Sequence, residues 1–131
     1  MAQYKTYTTM AGKDENEFDP ETMIEVYDIT SAAERKNIIQ NNKIVVIDNY
    51  TSWCGPCKTC APQFAKLCKM YIKSGMCALV KEDVEKVGDR PIPVRGVPCF
   101  HFYINGQFQD EMTVTGADVS LVEQTLQKLL R

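Results

Sequence analysis

The chain has 131 residues, 44% hydrophobic and 24% charged, with a net charge of −2. That length predicts one domain able to bury a core without a staple. The 15 scattered Lys and Arg residues exclude the clustered basic face of a nucleic-acid binder, and no apolar run approaches the roughly 18 residues of a membrane span.

Residues 1–20 are polar and turn acidic at Asp14, Glu15, Glu17 and Asp19. They are expected to be an N-terminal extension, a mobile arm or an added edge strand, preceding a domain over 21–131. They lack the apolar core of a secretory signal, so the expected address is the reducing cytoplasm. There, six cysteines suggest free thiols, metal ligands or catalysis rather than a disulfide framework.

The run 23–29, "MIEVYDI", predicts a strand. Ser31 with Glu34 forms a capping box that starts a helix, and Asn41-Asn42 ends it. "KIVVIDNY" (43–50) is a continuous β-branched run typical of a strand covered on both faces. A helix over 58–75 follows, with Phe64, Leu67, Cys68 and Tyr71 on one face, Pro62 inside and Gly75 at its end. "CALVKEDV" (77–84) predicts a strand and "GDRPIPVRGVP" (88–98) a connection. Residues 99–115 predict two strands about the Asn105-Gly106 turn. The last helix carries Val119, Val122, Leu126 and Leu129 on one stripe. This order predicts an α/β domain, a mixed central sheet of four to five strands with helices on both faces and an antiparallel hairpin at its edge.

The chemistry concentrates in "WCGPC", 53–57, between a buried strand and a helix. A helix N-terminus has unsatisfied N–H groups and positive partial charge, which stabilise a thiolate. Cys54, at the junction, is the expected exposed nucleophile, and Cys57, one turn in, the more buried resolving thiol. Pro56 suits a first turn, where its missing N–H has no helical partner. Gly55 leaves room for another backbone, and Trp53 offers a contact surface. A C-x2-C pair can also begin a zinc site, with Cys60, Cys99 and His101 as further donors, or an iron–sulfur site. Neither needs the flanking Trp, the Gly-Pro pair or the strand-to-helix setting.

"WCGPCK" after "VVIDNY" resembles the active site of the thioredoxin family. Pro62, "VRGVPCF", "YINGQ" and Gly116 extend the resemblance from about residue 22 to 131. It implies the thioredoxin fold and thiol–disulfide exchange through a reversible Cys54–Cys57 pair, with no bound cofactor or metal. It implies that Asp48 moves the proton of Cys57, helped by Lys81, and that Pro98 is cis. Trp53, Gly55, Pro56, Val97, Pro98 and Gly116 become the surface that docks substrate. The implied partners are disulfide-containing proteins, with thioredoxin reductase or glutathione as electron donor, and the expected state is a monomer. An isomerase or oxidase using the same pair, or a non-catalytic binding module, is the alternative.

The remaining candidates have plainer readings. Cys99 departs from the family pattern and could pair, bind metal or sit inert. Cys60 lies one turn beyond Cys57. Cys68 and Cys77 are expected in the core. His101, in "CFHFYI", is expected to be packed rather than one half of a catalytic Cys–His dyad. Glu82, Asp83 and Glu85 are expected to form a solvated strand end.

Overall fold

The computed structural model describes residues 8–10, 24–71 and 75–131. Met23 and residues 72–74, which the sequence placed in a strand and a helix end, lie outside the described residues. Strands β1 (Thr8–Met10) and β2 (Ile24–Val26) pair antiparallel as a separate two-stranded sheet. The strand expected over 23–29 therefore divides: Tyr27 interrupts it, and Asp28–Ile29 forms β3 in the main sheet.

The helix α1 (Ala32–Asn41) begins at Ser31, whose hydroxyl accepts the Glu34 N–H at 3.1 Å. The Glu34 carboxylate returns one residue further back than a standard capping box, accepting the Thr30 N–H at 2.8 Å. Strand β4 (Ile44–Tyr50) follows, then α2 (Gly55–Tyr71) and β5 (Cys77–Asp83). Helix α2 starts three residues earlier than expected, because Gly55 and Pro56 already belong to its first turn. Pro62 sits inside α2, where it withholds the N–H that would reach the Lys58 carbonyl.

After a helix-free connection come β6 (Cys99–Ile104), β7 (Gln107–Phe108), a 3-10 turn (Asp110–Met112), β8 (Val114–Thr115) and α3 (Val119–Leu129). Asn105 and Gly106 both have positive φ, 51° and 82°, the geometry of a two-residue hairpin turn. The second hairpin strand is not continuous. The 3-10 turn splits it into β7 and β8, which pair with opposite ends of β6.

The main sheet runs β3-β5-β4-β6-β7, with β8 also on β6. The strands β3, β5 and β4 are parallel, and β6 is antiparallel to β4. Central β4 alternates between two cores. On one face, Ile44 and Val46 join Phe64, Leu67, Phe100, Phe102, Val122 and Leu126 under α2 and α3. On the other, Val45 and Ile47 join Ile29, Ile38, Val80 and Tyr103 under α1. Burial on both faces explains the unbroken apolar run of the sequence. No described helix is long and apolar enough to cross a membrane.

Of the three acidic residues expected in solvent at the end of β5, only Glu85 is exposed; Glu82 and Asp83 are buried. Glu82 is completely buried on the α1 face, where Arg35 of α1 and Arg90 of the 84–98 connection each reach its Oε2 at 3.1 Å. Burial pushes the Glu82 carboxyl up, against the pull of both guanidinium groups. Arg35 also donates to the carbonyls of Gly88 and Asp89, and Arg90 to that of Val87. Asp83 is buried too, accepting the Glu85 N–H at 2.9 Å to start the turn after β5. A connection without a helix of its own is thus held by one buried carboxylate.

Candidate active site

Cys54 occupies the cap position of α2. Its carbonyl accepts the Lys58 N–H at 3.2 Å, and its Sγ accepts the Cys57 N–H at 3.1 Å. A sulfur thus fills the role an N-cap oxygen has elsewhere, facing the positive end of the helix. Cys54 and Cys57 are joined as a disulfide with Cα atoms 5.3 Å apart. The expectation that Cys54 is the exposed member of the pair is not met in this state, since Cys54 is 4% and Cys57 5% accessible. The capping bond turns the Cys54 sulfur inward, and its outer side lies 3.7 Å from the Val97 carbonyl oxygen.

That carbonyl belongs to the connection that ends at Pro98. The Val97–Pro98 peptide is cis, as the resemblance implied. Gly116, at φ 93°, donates its N–H to the Pro98 carbonyl at 2.8 Å. Gly116 thereby fixes the segment beside the disulfide from the β8 side. Around the sulfurs, Trp53, Gly55 and Pro56 are exposed. No atom lies within 4 Å of where a Cβ on Gly55 would sit, so the space is open to an incoming chain. Trp53 is 66% accessible, and its indole N–H donates to Glu85 Oε2 at 2.9 Å.

Asp48 lies within β4, between Lys81 on β5 and Phe100 on β6, and is 5% accessible. Its carboxyl is raised to about 7, first by burial and further by Asp28, with Lys81 pulling against both. It shares the α2 face of the sheet with Val46 and Phe100, the core in which Cys60 also packs. Cys57 is one turn before Cys60 on the same helix.

The other candidates separate from this centre. The Cys60 thiol is pushed up to about 11 by burial and then by Asp48, and it donates to the Cys57 carbonyl at 3.6 Å. Cys99 is buried on the opposite face of the sheet, beside Asn49, and its thiol is raised by burial and Asp48. Cys68 and Cys77 are in the α2-side core. His101 is packed edge-on against Phe108 with centroids 5.0 Å apart, and its imidazole is lowered to about 4 by burial, with Arg90 adding to the effect and Asp110 opposing it. Among the described residues no group of three or more His, Cys, Asp or Glu side chains could hold a metal ion. Sequence reasoning passed over Asp28 and Tyr50, which adjoin Lys81. Their only signal was the two-residue alternation that puts Tyr50 on the Asp48 face.

The thioredoxin family model matches residues 25–128. The chain is 35% identical to thioredoxin 1 of Plasmodium falciparum over 102 residues, covering 76% of this chain and 93% of that relative. It is 36% identical to thioredoxin-3 of Dictyostelium discoideum over 107 residues, covering 80% and 97%. A solved structure of Plasmodium falciparum thioredoxin superposes with a TM-score of 0.71 at 35% identity, covering 79% of this chain and 98% of that one.

Proposed function

The chain belongs to the thioredoxin family, and on that premise we propose how its residues divide the work. The protein is a thiol–disulfide oxidoreductase of the protein-disulfide reductase kind, and its redox group is its own Cys54–Cys57 pair, without an external cofactor. In the reduced protein the Cys54 thiolate attacks one sulfur of a substrate disulfide. The other substrate sulfur leaves as thiolate and takes up a proton. Cys57 then loses its proton to the Asp48 carboxylate and attacks Cys54 Sγ. The mixed disulfide breaks, the second substrate sulfur leaves as a thiolate and takes up the proton held by Asp48, and Cys54–Cys57 closes with two electrons transferred to the substrate.

The observation that carries this reading is the Cys57 N–H directed at Cys54 Sγ at the mouth of α2. It is the contact that favours a thiolate on Cys54 over one on Cys57. A carboxyl titrating near neutrality can both accept the Cys57 proton and return it. Lys81, its neighbour on β5, steadies the ionised form. Val97 offers backbone to an extended substrate segment in the manner of an added strand. Pro98 and Gly116 hold that backbone in place, and Trp53, Gly55 and Pro56 form the opposite wall.

The family acts on disulfide-containing substrates and is regenerated by reductases. For this chain we assign the donor to a flavin-dependent thioredoxin reductase or to glutathione, the setting to the cytoplasm and the working form to a monomer. Insulin-disulfide reduction driven by dithiothreitol tests the cycle. The native chain turns over rapidly and Cys54→Ser falls to background, whereas Cys57→Ser accumulates the mixed disulfide. Full activity in Cys54→Ser would remove the assignment. A reduction potential well above that of reducing family members would favour the isomerase or oxidase reading instead.

A further inference from the structure

The face of the sheet around Asp48 holds groups that the cycle does not use. Pairing sets Asp28, Lys81 and Asp48 side by side on β3, β5 and β4. One lysine therefore stands between two carboxylates. Tyr50, two residues beyond Asp48 and on its face, reaches across β5 and donates its hydroxyl to Asp28 Oδ2 on β3 at 2.5 Å. The same ring lies under the Lys81 ammonium, 5.4 Å from Nζ to centroid. Among the described residues Lys81 makes no direct ion pair with either carboxylate. Asp28 Oδ1 and Asp48 Oδ1 are both buried and have no hydrogen-bond partner among the described residues.

We propose that Asp28 and Tyr50 are positioning residues for the proton step: Tyr50 holds Asp28 and the Lys81 ammonium in one cluster, so that the lysine is shared between two carboxylates rather than given to Asp48 alone. This rests on the reading of Asp48 as the group that exchanges a proton with Cys57. A lysine serving Asp48 alone would hold it ionised, and a carboxylate so held accepts a proton poorly near neutral pH. With Asp28 present, ionising Asp48 leaves two negative charges against one positive charge, which opposes the ionisation.

The surroundings of Asp48 agree. Burial is the larger cause of its raised carboxyl, Lys81 acts against it and Asp28 with it. Among the described residues the other titratable groups on that face are Tyr50 on its own strand, Asp83 two residues beyond Lys81 on β5, whose carboxylate accepts the Glu85 N–H, and Cys60 on α2, one turn beyond Cys57. Cys60 stays a neutral thiol at pH 7, and Cys99 acts from the reverse face of β6. Phe100, the β6 neighbour on its own face, carries no charge.

The test follows the Asp48 side-chain carboxyl carbon by NMR across pH in the reduced protein, beside the pH profile of insulin reduction. Asp28→Asn keeps the shape and an acceptor for Tyr50 but removes the charge. Its Asp48 midpoint falls by about half a pH unit or more, and the rising limb of activity moves to lower pH with it. Asp28→Glu restores the charge and brings both back towards the native values. An Asp48 midpoint in Asp28→Asn equal to the native one overturns the proposal, as does an Asp28→Glu midpoint displaced as far as that of Asp28→Asn. The underlying proton role fails by a different result, an Asp48→Asn protein with native rate and native pH profile.

Discussion

At the scale of single residues, Asp48 sets stability against function. A carboxyl that titrates near 3.8 in the unfolded chain and near 7 in the folded one binds a proton more tightly in the native state. Between those values the native state holds a proton that the unfolded state has lost, so stability falls as pH rises through the window. Above it, the fold carries a buried charge. Asp48→Asn in the oxidised protein is therefore expected to raise the unfolding free energy by about 2–4 kcal/mol at pH 8 and by clearly less at pH 5. Guanidinium titrations at the two pH values measure this, and an equal gain at both would contradict the assignment. The same variant loses reduction rate. The sequence made Asp48 and the two cysteines legible because motif spacing fixes their place relative to a strand end and a helix start. It left Asp28 obscure, since that residue matters only through β3–β5 pairing, between segments more than fifty positions apart.

At the scale of elements, Glu82 and Asp83 were misread, and Glu82 the more deeply. Three acidic residues at 82, 83 and 85 after an apolar run look like a strand leaving the core. The periodicity was in fact kept, and Glu82 follows Val80 onto the α1 face. What makes its burial tolerable is Arg35, 47 residues earlier, and Arg90, eight later. No local pattern announces such a partnership. Breaking one arm leaves charge under-compensated in a dry setting, so Arg35→Ala is expected to cost roughly 3 kcal/mol or more. Lys36→Ala, exposed on the same helix, should stay within about 0.5 kcal/mol. Denaturant midpoints of the two variants compare them, and equal small losses would show the contact to be idle. The loop anchored there continues into Val97 and Pro98, so a loosened connection also costs substrate reduction.

At the scale of the whole molecule, element order was readable because helical and strand periods alternate cleanly from Ser31 onwards. The antiparallel hairpin that makes the sheet mixed was readable too, and β6 does run antiparallel to β4; the broken second arm of that hairpin was not, since nothing in the strand period marks the 3-10 turn at Asp110–Met112. The two faces that result are unequally covered. Helices α2 and α3 close one side over three phenylalanines, whereas α1 and the 84–98 connection close the other around a smaller cluster. Amide hydrogen exchange should expose this imbalance. Protection in β4 and β5 should track global unfolding, while α1 and residues 84–98 exchange earlier through a shared sub-global opening that Arg35→Ala widens. The protein then behaves as two foldons of different rank, and the disulfide, capping the helix of the stronger one, stays in place while the weaker one breathes.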